Sequence, residues 1–564
     1  MSKSKARPGA RHRWSDHRAS PRTSDYSCPQ NPAKGYHVHF DTPYDTPRPP
    51  VNARNCVATS QPLAAQAGLR MLQQGGNAVD AALAAAVTLT VVEPTGCGIG
   101  SDAFAILWDG KGLHGLNASG KSPANWDEGQ LNPDGSIPER GWQSVTTPGA
   151  VSAWVALSER FGALPFETLF APAIDYAANG FPVSPTISRL WTMAAKQLRD
   201  QPGFAPAFLL NGHAPLPGQI FRNPDQARTL RLIAESKGTA FYTGILAEAM
   251  AADAARHGAT LSVDDLAAHR VEWCGTLSQR FAGAYLHEIP PNGQGIAALI
   301  ALGLLRHHDL ASLSPDDPRL MHLQIEAIKL ALADADAYVG DPAHMDLASS
   351  DLLDPAYHAD RARLIDPTQA QTATHGAPKH GGTVYVTAAD AEGRMVSFIQ
   401  SNYMGFGSGV VVPGTGISMQ NRGAGFVTAP GHANRIGPGK RPFHTIIPGF
   451  VTKDGRPEMS FGVMGGPMQA QGHLQMMVRT VLHDQQPQAA SDAPRWRFVS
   501  GREVAVESTM PQQTVAALEA MGHQITREAP DNAFGFGGAQ LIRRYGETYV
   551  AGSDHRKDGQ VAAF

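Results

Sequence analysis

The chain has 564 residues, which is enough for a large buried core and for two to four domains. Hydrophobic residues make up 42% and charged residues 17%, and the formal net charge is −3. This composition is typical of a globular protein, and the nearly balanced charge disfavours nucleic acid or an anionic membrane as its main partner. No apolar run is long enough to span a bilayer. We therefore expect neither nucleic acid nor membrane among its partners.

The N-terminal segment MSKSKARPGARHRW is basic, and no apolar stretch follows it, so a secretory signal is not visible. Residues 1–50 are polar and rich in proline, which predicts a disordered arm. The four cysteines, Cys28, Cys56, Cys97 and Cys274, show no CxxC spacing. Free thiols without a disulfide or zinc pattern are typical of a reducing compartment, and the expected location is the cytoplasm.

In chain order, Ser60 is the predicted N-cap of a helix, LAAQAGLRMLQQ, that ends at Gly75-Gly76. A second helix is predicted from about Val79, and its small residues allow a neighbouring backbone to approach closely.

The loop Glu93–Asp102 carries glycine at every second position, at Gly96, Gly98 and Gly100. A dinucleotide-binding loop would follow a strand and open a helix. Here a helix precedes the loop, and the strand-like AFAILW follows it, so a nucleotide site is disfavoured.

From Pro318 the run RLMHLQIEAIKLALADADAYV has apolar residues at helical spacing and predicts a long helix. Its charged residues Glu326 and Lys329 favour a solvated face or a structural ion pair over catalysis. Residues 367–382 lack an apolar period and predict an exposed loop.

A β-hairpin is predicted immediately after this loop. TVYVTAA, beginning at Thr383, alternates between two faces, residues 390–393 form a turn, and RMVSFIQSN returns. If residues 391 and 392 form the loop, Thr383 lies opposite Gln400 and beside Ser401, unless a bulge shifts the register.

Thr383 has the setting of an N-terminal nucleophile. A threonine hydroxyl needs a base, and cleavage of the Gly382–Thr383 bond would release an α-amino group with a pKa of roughly 8 on the same residue. One residue would then supply both nucleophile and base. The sequence has no HExxH motif and no Cys/His cluster, so we expect no metal and no cofactor.

These residues resemble the γ-glutamyltransferase family, in which a threonine opens a hairpin after autocleavage. Further blocks that resemble the family occur in family order from about Val51 to Phe564. They are QGGNAVDAALAAAVTLTVVEP, SVTTPGAVSAW, AIKLALADADAYVGDP, NYMGFGSGVVVPGTGISMQN, PGKRPFHTIIP, Gly465-Gly466 and AGSDHR.

The resemblance implies an α+β fold, the four-layer αββα sandwich of N-terminal-nucleophile hydrolases. It implies a large chain (51–382) and a small chain (383–564), both from one precursor and associated with each other. Thr383 matches the nucleophile, Ser401 the hydroxyl that orients it, and Gly465-Gly466 the backbone donors of the oxyanion hole. Tyr385 stands where the family usually has histidine.

The positions that would hold an amino acid head group depart from the family pattern. Ser119 stands in place of the arginine that grips the α-carboxylate, and Gly425 in place of the acidic residue that holds the α-amino group. Arg422 replaces a glutamine, and His444-Thr445 replaces a serine pair. Arg422 can anchor an anionic substrate or pair with a structural carboxylate, and both interpretations stay open.

This pattern resembles the branch of the family that includes glutaryl-cephalosporin acylases and oxamate amidohydrolase. We predict a self-processing amidohydrolase for a small-molecule amide whose anionic acyl group lacks the amino acid head. The alternatives are a genuine γ-glutamyltransferase or glutathione hydrolase and an inactive binding protein. The predicted substrate contacts are Ser119, Asn402, Tyr403, Arg422, His444 and Thr445.

Overall fold

The structure, a computed structural model, describes residues 48–372, 382–530 and 534–564. All of them belong to one compact unit. Nearly all of the predicted arm (residues 1–50), most of the predicted loop (residues 367–382) and Cys28 lie outside the described residues. Ordered secondary structure begins with the strand Val51–Ala53.

Two antiparallel sheets of seven strands each lie at the centre of the fold. The first sheet contains, in spatial order, Gln560–Ala563, Cys56–Thr59, Gly382–Ala389, Met395–Tyr403, Asp102–Trp108, Leu113–Asn117 and Glu272–Trp273. The second contains Val51–Ala53, Thr548–Ser553, Gly538–Tyr545, Arg456–Met464, Gly449–Lys453, Ala284–Glu288 and Leu277–Phe281. Smaller sheets are formed by Trp496–Ser500, Glu503–Glu507 and Gln524–Glu528, by Phe181–Pro182 and Ile220–Phe221, and by Val411–Val412 and Ile417–Ser418.

Helices cover the outer face of each sheet. Those packed on the first sheet are Pro62–Gln73, Ala78–Val92, Ala150–Phe161, Ala171–Asn179, Pro185–Leu198, Phe204–Phe208, Pro224–Ser236, Thr239–Tyr242, Ile245–Arg256 and Val263–Ala268. Those packed on the second are Gly295–Leu305, Pro318–Tyr338, Ser349–Leu352, Pro355–Ala362, Met468–Met477, Pro487–Asp492 and Gln512–Ala520.

Three separate apolar cores hold these layers together. Val384 and Val386 point from the first sheet into the helices on its outer face, and Phe461 does the same for the second sheet. Tyr385 and Phe450 lie in the core between the sheets. One core for each interface between layers is what a four-layer sandwich requires. The predicted α+β fold with αββα layers is therefore confirmed.

The first helix begins as predicted but uses a different cap. The Gln61 side chain accepts hydrogen bonds from the Leu63 and Ala64 backbone amides, and Pro62 occupies the first helical position. The Ser60 hydroxyl instead donates to Glu93 at 2.6 Å. The prediction of Ser60 as N-cap was wrong because the helix begins at Pro62, which makes Gln61 the capping residue.

The hairpin register differs by one residue from the prediction. Val384, not Thr383, pairs with Gln400, because the turn between the strands is longer than two residues. The register then shifts again between Gly382 and Val384, and Gly382 pairs with Tyr403. Thr383 therefore lies at an irregular point of the ladder, where a bulge can aim its side chain.

Tyr385, at the family's histidine position, lies entirely in the core between the sheets. Its hydroxyl is 2.7 Å from Ser397 Oγ, and its ring covers Gly462 of the second sheet. A Cβ at Gly462 would lie 2.5 Å from the ring, so glycine is required there. These contacts give Tyr385 a packing role that joins the nucleophile strand to the opposite sheet.

Candidate active site

The Thr383 hydroxyl lies at the centre of a buried cluster of oxygens. Thr383 Oγ1 donates to the carbonyl oxygen of Gly382 at 2.8 Å, and Ser401 Oγ donates to the same oxygen at 2.7 Å. The two hydroxyl oxygens are 3.2 Å apart, and both side chains are fully buried. Two hydroxyl groups thus converge on the carbonyl of the bond between Gly382 and Thr383.

Tyr403 connects this cluster to the rest of the site. Its backbone N–H donates to Ser401 Oγ at 2.8 Å, and its φ angle is 77°, a left-handed conformation that costs a tyrosine about 1 kcal/mol or more. The Tyr403 ring lies under the guanidinium of Arg422, with 4.9 Å between Cζ and the ring centroid. One strained residue therefore fixes Ser401 with its backbone and Arg422 with its ring.

The alternating glycines of the loop Glu93–Asp102 allow its backbone to lie against these strands. A Cβ on Gly96 would be 3.2 Å from the Thr383 carbonyl oxygen. On Gly98 and Gly100 it would be 3.0 and 2.6 Å from atoms of Ser418. The loop is thus a wall of the threonine site, which explains its glycines without a nucleotide.

Gly465 and Gly466 follow the last residue of the strand Arg456–Met464, and both have positive φ angles, 127° and 59°. The Gly466 carbonyl oxygen accepts from Gln294 Nε2 at 2.9 Å and from the Gln469 backbone N–H at 3.0 Å. Gln469 Nε2 also lies 3.4 Å from Thr383 Oγ1. Gln469 therefore contacts the Gly466 carbonyl oxygen through its backbone and the Thr383 hydroxyl through its side chain.

Arg422 is buried, with 1% of its surface exposed, in the short helix Arg422–Gly425. Its Nη1 donates to Thr445 Oγ1 at 3.0 Å. Within the described residues, its Nε and Nη2 atoms have no hydrogen-bond partner. Burial lowers the pKa of Arg422 to about 10, so the side chain remains a cation at neutral pH. Leaving donors of a buried charged group without an acceptor costs free energy, and an anion bound at Nε and Nη2 would supply the acceptor.

His444 and Asp102 complete this part of the site. His444 Nε2 is 3.1 Å from Asp102 Oδ2, and both side chains are fully buried. Burial raises the pKa of Asp102 to about 7, against the lowering effect of Arg422. Burial and the charge of Arg422 lower the pKa of His444 well below its usual value. When Asp102 is ionised, the neutral ring donates from Nε2, which leaves Nδ1, without a partner among the described residues, as an acceptor.

Two predicted substrate contacts use their side chains in structural bonds. The Asn402 amide is bonded to Ser101 at 2.8 Å and to Ser418 at 3.2 Å, which ties the glycine loop to the hairpin. The Ser119 hydroxyl donates to Asn117 at 2.7 Å and also contacts Asn292. These contacts favour structural roles for Asn402 and Ser119, whereas Tyr403, His444 and Thr445 lie together around Arg422.

Sequence reasoning missed Asp102, Gln294 and Gln469. Asp102 is the last residue of the glycine loop, and Gln469 stands three residues after the glycine pair. Their closeness in sequence to these motifs is the one feature that could have pointed to them. Their roles depend on contacts with residues far away in the sequence, such as the 342-residue separation between Asp102 and His444.

Among the described residues, His322, Glu326 and His523 could in principle hold a metal, since their ligand atoms lie within 4.8 Å of one another. These atoms already have other partners. His322 Nδ1 is 2.8 Å from His523 Nε2, and the Lys329 ammonium is 2.7 Å from Glu326 Oε1. Of the two roles expected for Glu326 and Lys329, the structure therefore shows the structural ion pair, which is buried.

Within the described ranges, none of the helices combines the length and apolar character needed to cross a bilayer.

The αββα sandwich, with a buried threonine in a central strand, is the architecture of the N-terminal-nucleophile amidohydrolases, and the chain is an enzyme of this class. The profile of the gamma-glutamyltranspeptidase family matches residues 64–564, and the chain belongs to that family. The predicted family is thus confirmed, and the alternative of a non-enzymatic binding protein is not supported.

The chain is similar over nearly its whole length to several known proteins. The crystal structure of a cephalosporin acylase from Bacillus halodurans is 46% identical, with a TM-score of 0.89, and the match covers 93% of this chain and 99% of that one. The oxamate amidohydrolase proenzyme of Klebsiella pneumoniae is 36% identical, with coverages of 89% and 97%. The glutathione hydrolase-like YwrD proenzyme of Bacillus subtilis is 35% identical, with coverages of 90% and 98%.

Proposed function

We propose that the chain is the precursor of an amidohydrolase that cleaves itself between Gly382 and Thr383. The supporting observation is the convergence of the Thr383 and Ser401 hydroxyls on the Gly382 carbonyl oxygen, at 2.8 and 2.7 Å. The names of the oxamate amidohydrolase and YwrD relatives describe them as proenzymes, which agrees with processing. The products would be a large chain ending at Gly382 and a small chain of residues 383–564.

The geometry of the uncut bond supports a mechanism for self-cleavage. Thr383 Oγ1 attacks the Gly382 carbonyl carbon, and the negative charge that develops on its oxygen is stabilised by the Ser401 hydroxyl. The hydroxyl proton passes to the departing Thr383 nitrogen, and the peptide becomes an ester. Water then hydrolyses the ester, which leaves a carboxylate on Gly382 and a free amino group and hydroxyl on Thr383.

The same hydroxyl then serves substrate turnover. The new α-amino group takes the proton of Oγ1, which attacks the substrate amide and forms an acyl-enzyme. We assign the backbone N–H groups of Gly465 and Gly466 to the oxyanion. The proton moves to the leaving amine, and water releases the acid and restores Thr383.

Substrate selection is assigned to Arg422. Its two unpartnered donors suit a carboxylate on the acyl group, and oxamate, after which one relative is named, carries a carboxylate beside its amide. Asp102 is a poor partner for an α-amino group, because its oxygens already accept from Gly149 and His444. We therefore propose an anionic acyl group without the amino acid head.

Paired chromogenic anilides test this specificity. We expect the kcat/KM for a glutaryl anilide to exceed that for the matched γ-glutamyl anilide by at least about tenfold. A charged group left without its hydrogen-bond partner costs roughly 1.5–3 kcal/mol, and 1.4 kcal/mol corresponds to tenfold. A clear preference for the γ-glutamyl anilide would instead support a genuine γ-glutamyltransferase or glutathione hydrolase.

The preference for an anionic acyl group should depend on pH. Below pH 7 Asp102 is largely protonated, and the positive charge of Arg422 is free to attract the substrate carboxylate. As the pH rises through about 7, Asp102 gains a negative charge that repels the carboxylate. We expect the kcat/KM ratio of a glutaryl to a butyryl anilide to fall on the order of tenfold.

Taking the ratio cancels the titration of the Thr383 amino group, which affects both anilides equally. Arg422 keeps its positive charge in this range, and His444 stays neutral. Asp102→Asn should give a pH-independent ratio. A wild-type ratio that does not change between pH 6 and 8 would contradict this assignment.

A further inference from the structure

Gln469 is placed to act directly on the nucleophile. It lies in the first turn of the helix Met468–Met477, three residues after Gly466, and its side chain is fully buried. Its Nε2 is 3.4 Å from Thr383 Oγ1, and its Oε1 accepts from the Ile447 backbone N–H at 3.0 Å. The contact with the threonine is long, but hydrogen bonds at reacting atoms commonly tighten when substrate binds.

The orientation of the Gln469 amide is fixed by chemistry. The Ile447 backbone N–H can only donate, so the amide atom that faces it must be the oxygen. The NH₂ group of Gln469 then faces Thr383, because the reversed orientation would oppose two donors. Gln469 can therefore only donate to Thr383 Oγ1.

A donor at this position determines where the hydroxyl proton points. A hydroxyl has one proton and two lone pairs, so when Gln469 occupies a lone pair of Oγ1, the proton must point elsewhere. In the uncut chain it points at the Gly382 carbonyl oxygen. After processing, the free α-amino group of Thr383 lies on the same residue as the hydroxyl and can accept its proton. The same donor would stabilise negative charge on Oγ1 when that oxygen leaves the acyl group.

We propose that Gln469 is a catalytic residue whose side-chain N–H donates to Thr383 Oγ1, directing the hydroxyl proton to the α-amino base and stabilising the oxygen as it leaves the acyl-enzyme. This inference rests on the proposed function, in which Thr383 is the nucleophile. The Gln469 backbone bond to Gly466 is separate from the side chain, so a side-chain substitution leaves the glycine pair tethered.

Gln469→Met is the first test, with Gln471→Met as its matched control. Gln471 is a buried glutamine of the same helix, and its amide bonds to the Phe498 backbone on the other side. In each variant, methionine replaces a buried glutamine with a side chain of similar size and removes one amide group. We expect Gln469→Met to lower kcat on the glutaryl anilide about 10- to 100-fold with little change in KM. Gln471→Met should keep the wild-type kcat per mole of folded, processed enzyme.

Processing and pH give two further readouts. Gln469→Met should form its two chains more slowly than Gln471→Met, and a folded but uncut chain supports the proposal. In Gln469→Glu the ionised carboxylate cannot donate, whereas the protonated carboxyl can. The ratio of its kcat to that of the wild type should therefore rise as the pH falls, whether or not the methionine variant folds.

A purely structural role predicts different results. Equal kcat values for folded Gln469→Met and Gln471→Met, or a ratio for Gln469→Glu that does not change with pH, would overturn the proposal. Either result leaves Thr383 as the nucleophile, since Thr383→Ala tests that separately. Failure of the proposed function would instead appear as cleavage or turnover that persists in Thr383→Ala.

Discussion

Replacing Thr383 with alanine is expected to leave the chain uncut and without amidase activity. Cleavage frees the α-amino group of residue 383, so only a hydroxyl on that residue has its base beside it, and alanine removes this hydroxyl. Ser401 has no free amino group to act as its base. We expect turnover to fall at least about 10³-fold, on the scale seen when a catalytic nucleophile is removed. Denaturing gels and release of the anilide chromophore measure the two losses.

Ser401→Ala is the matched control, since it removes the neighbouring hydroxyl of the same cluster. It should process slowly and keep part of its activity, because one positioned hydrogen bond contributes at most a few kcal/mol to the barrier. Cleavage of Thr383→Ala at the unchanged bond would show that another residue is the nucleophile.

Arg422→Ala is expected to lower kcat/KM for a glutaryl anilide about 10- to 150-fold and to change that for a butyryl anilide little. The guanidinium offers two donors to the acyl carboxylate, and a hydrogen bond to a charged group contributes roughly 1.5–3 kcal/mol. A neutral acyl group makes no use of this charge. Steady-state rates on both anilides, measured on enzyme shown to be processed, give the comparison.

Two further variants separate charge from geometry. Arg422→Lys keeps the charge but loses the planar fork, so its loss should be intermediate. Thr445→Val removes the hydroxyl that accepts from Arg422 Nη1 and should weaken the glutaryl anilide less than Arg422→Ala does. An equal loss on both anilides in Arg422→Ala would mean that Arg422 supports the structure of the site without binding the acyl carboxylate.

The hairpin illustrates what the sequence could predict. The alternation from Thr383 onward and the following turn predicted both strands, and the structure contains them as Gly382–Ala389 and Met395–Tyr403. The register was wrong by one residue because the true length of the turn and the irregularity at Thr383 depend on contacts outside the hairpin. The proximity of Thr383 and Ser401 survived this error, since it requires only that the strands be neighbours.

The rest of the site is formed by contacts over long sequence separations. Arg422 was selected from its place in a motif, yet its setting depends on Thr445, Tyr403 and Asp102, which three different segments supply. Gln469 meets Thr383 across 86 residues of sequence. Local patterns carry no information about such pairs. The cytoplasmic location, which also came from local sequence, stays a prediction.

Intact-mass analysis of the purified protein tests the central claim most directly. The account predicts two chains, of which the smaller begins TVYVTAAD at Thr383 and ends at Phe564. The larger should end at Gly382, wherever it begins. A single uncut chain that hydrolyses the glutaryl anilide at full rate would contradict both the processing site and the identity of the nucleophile.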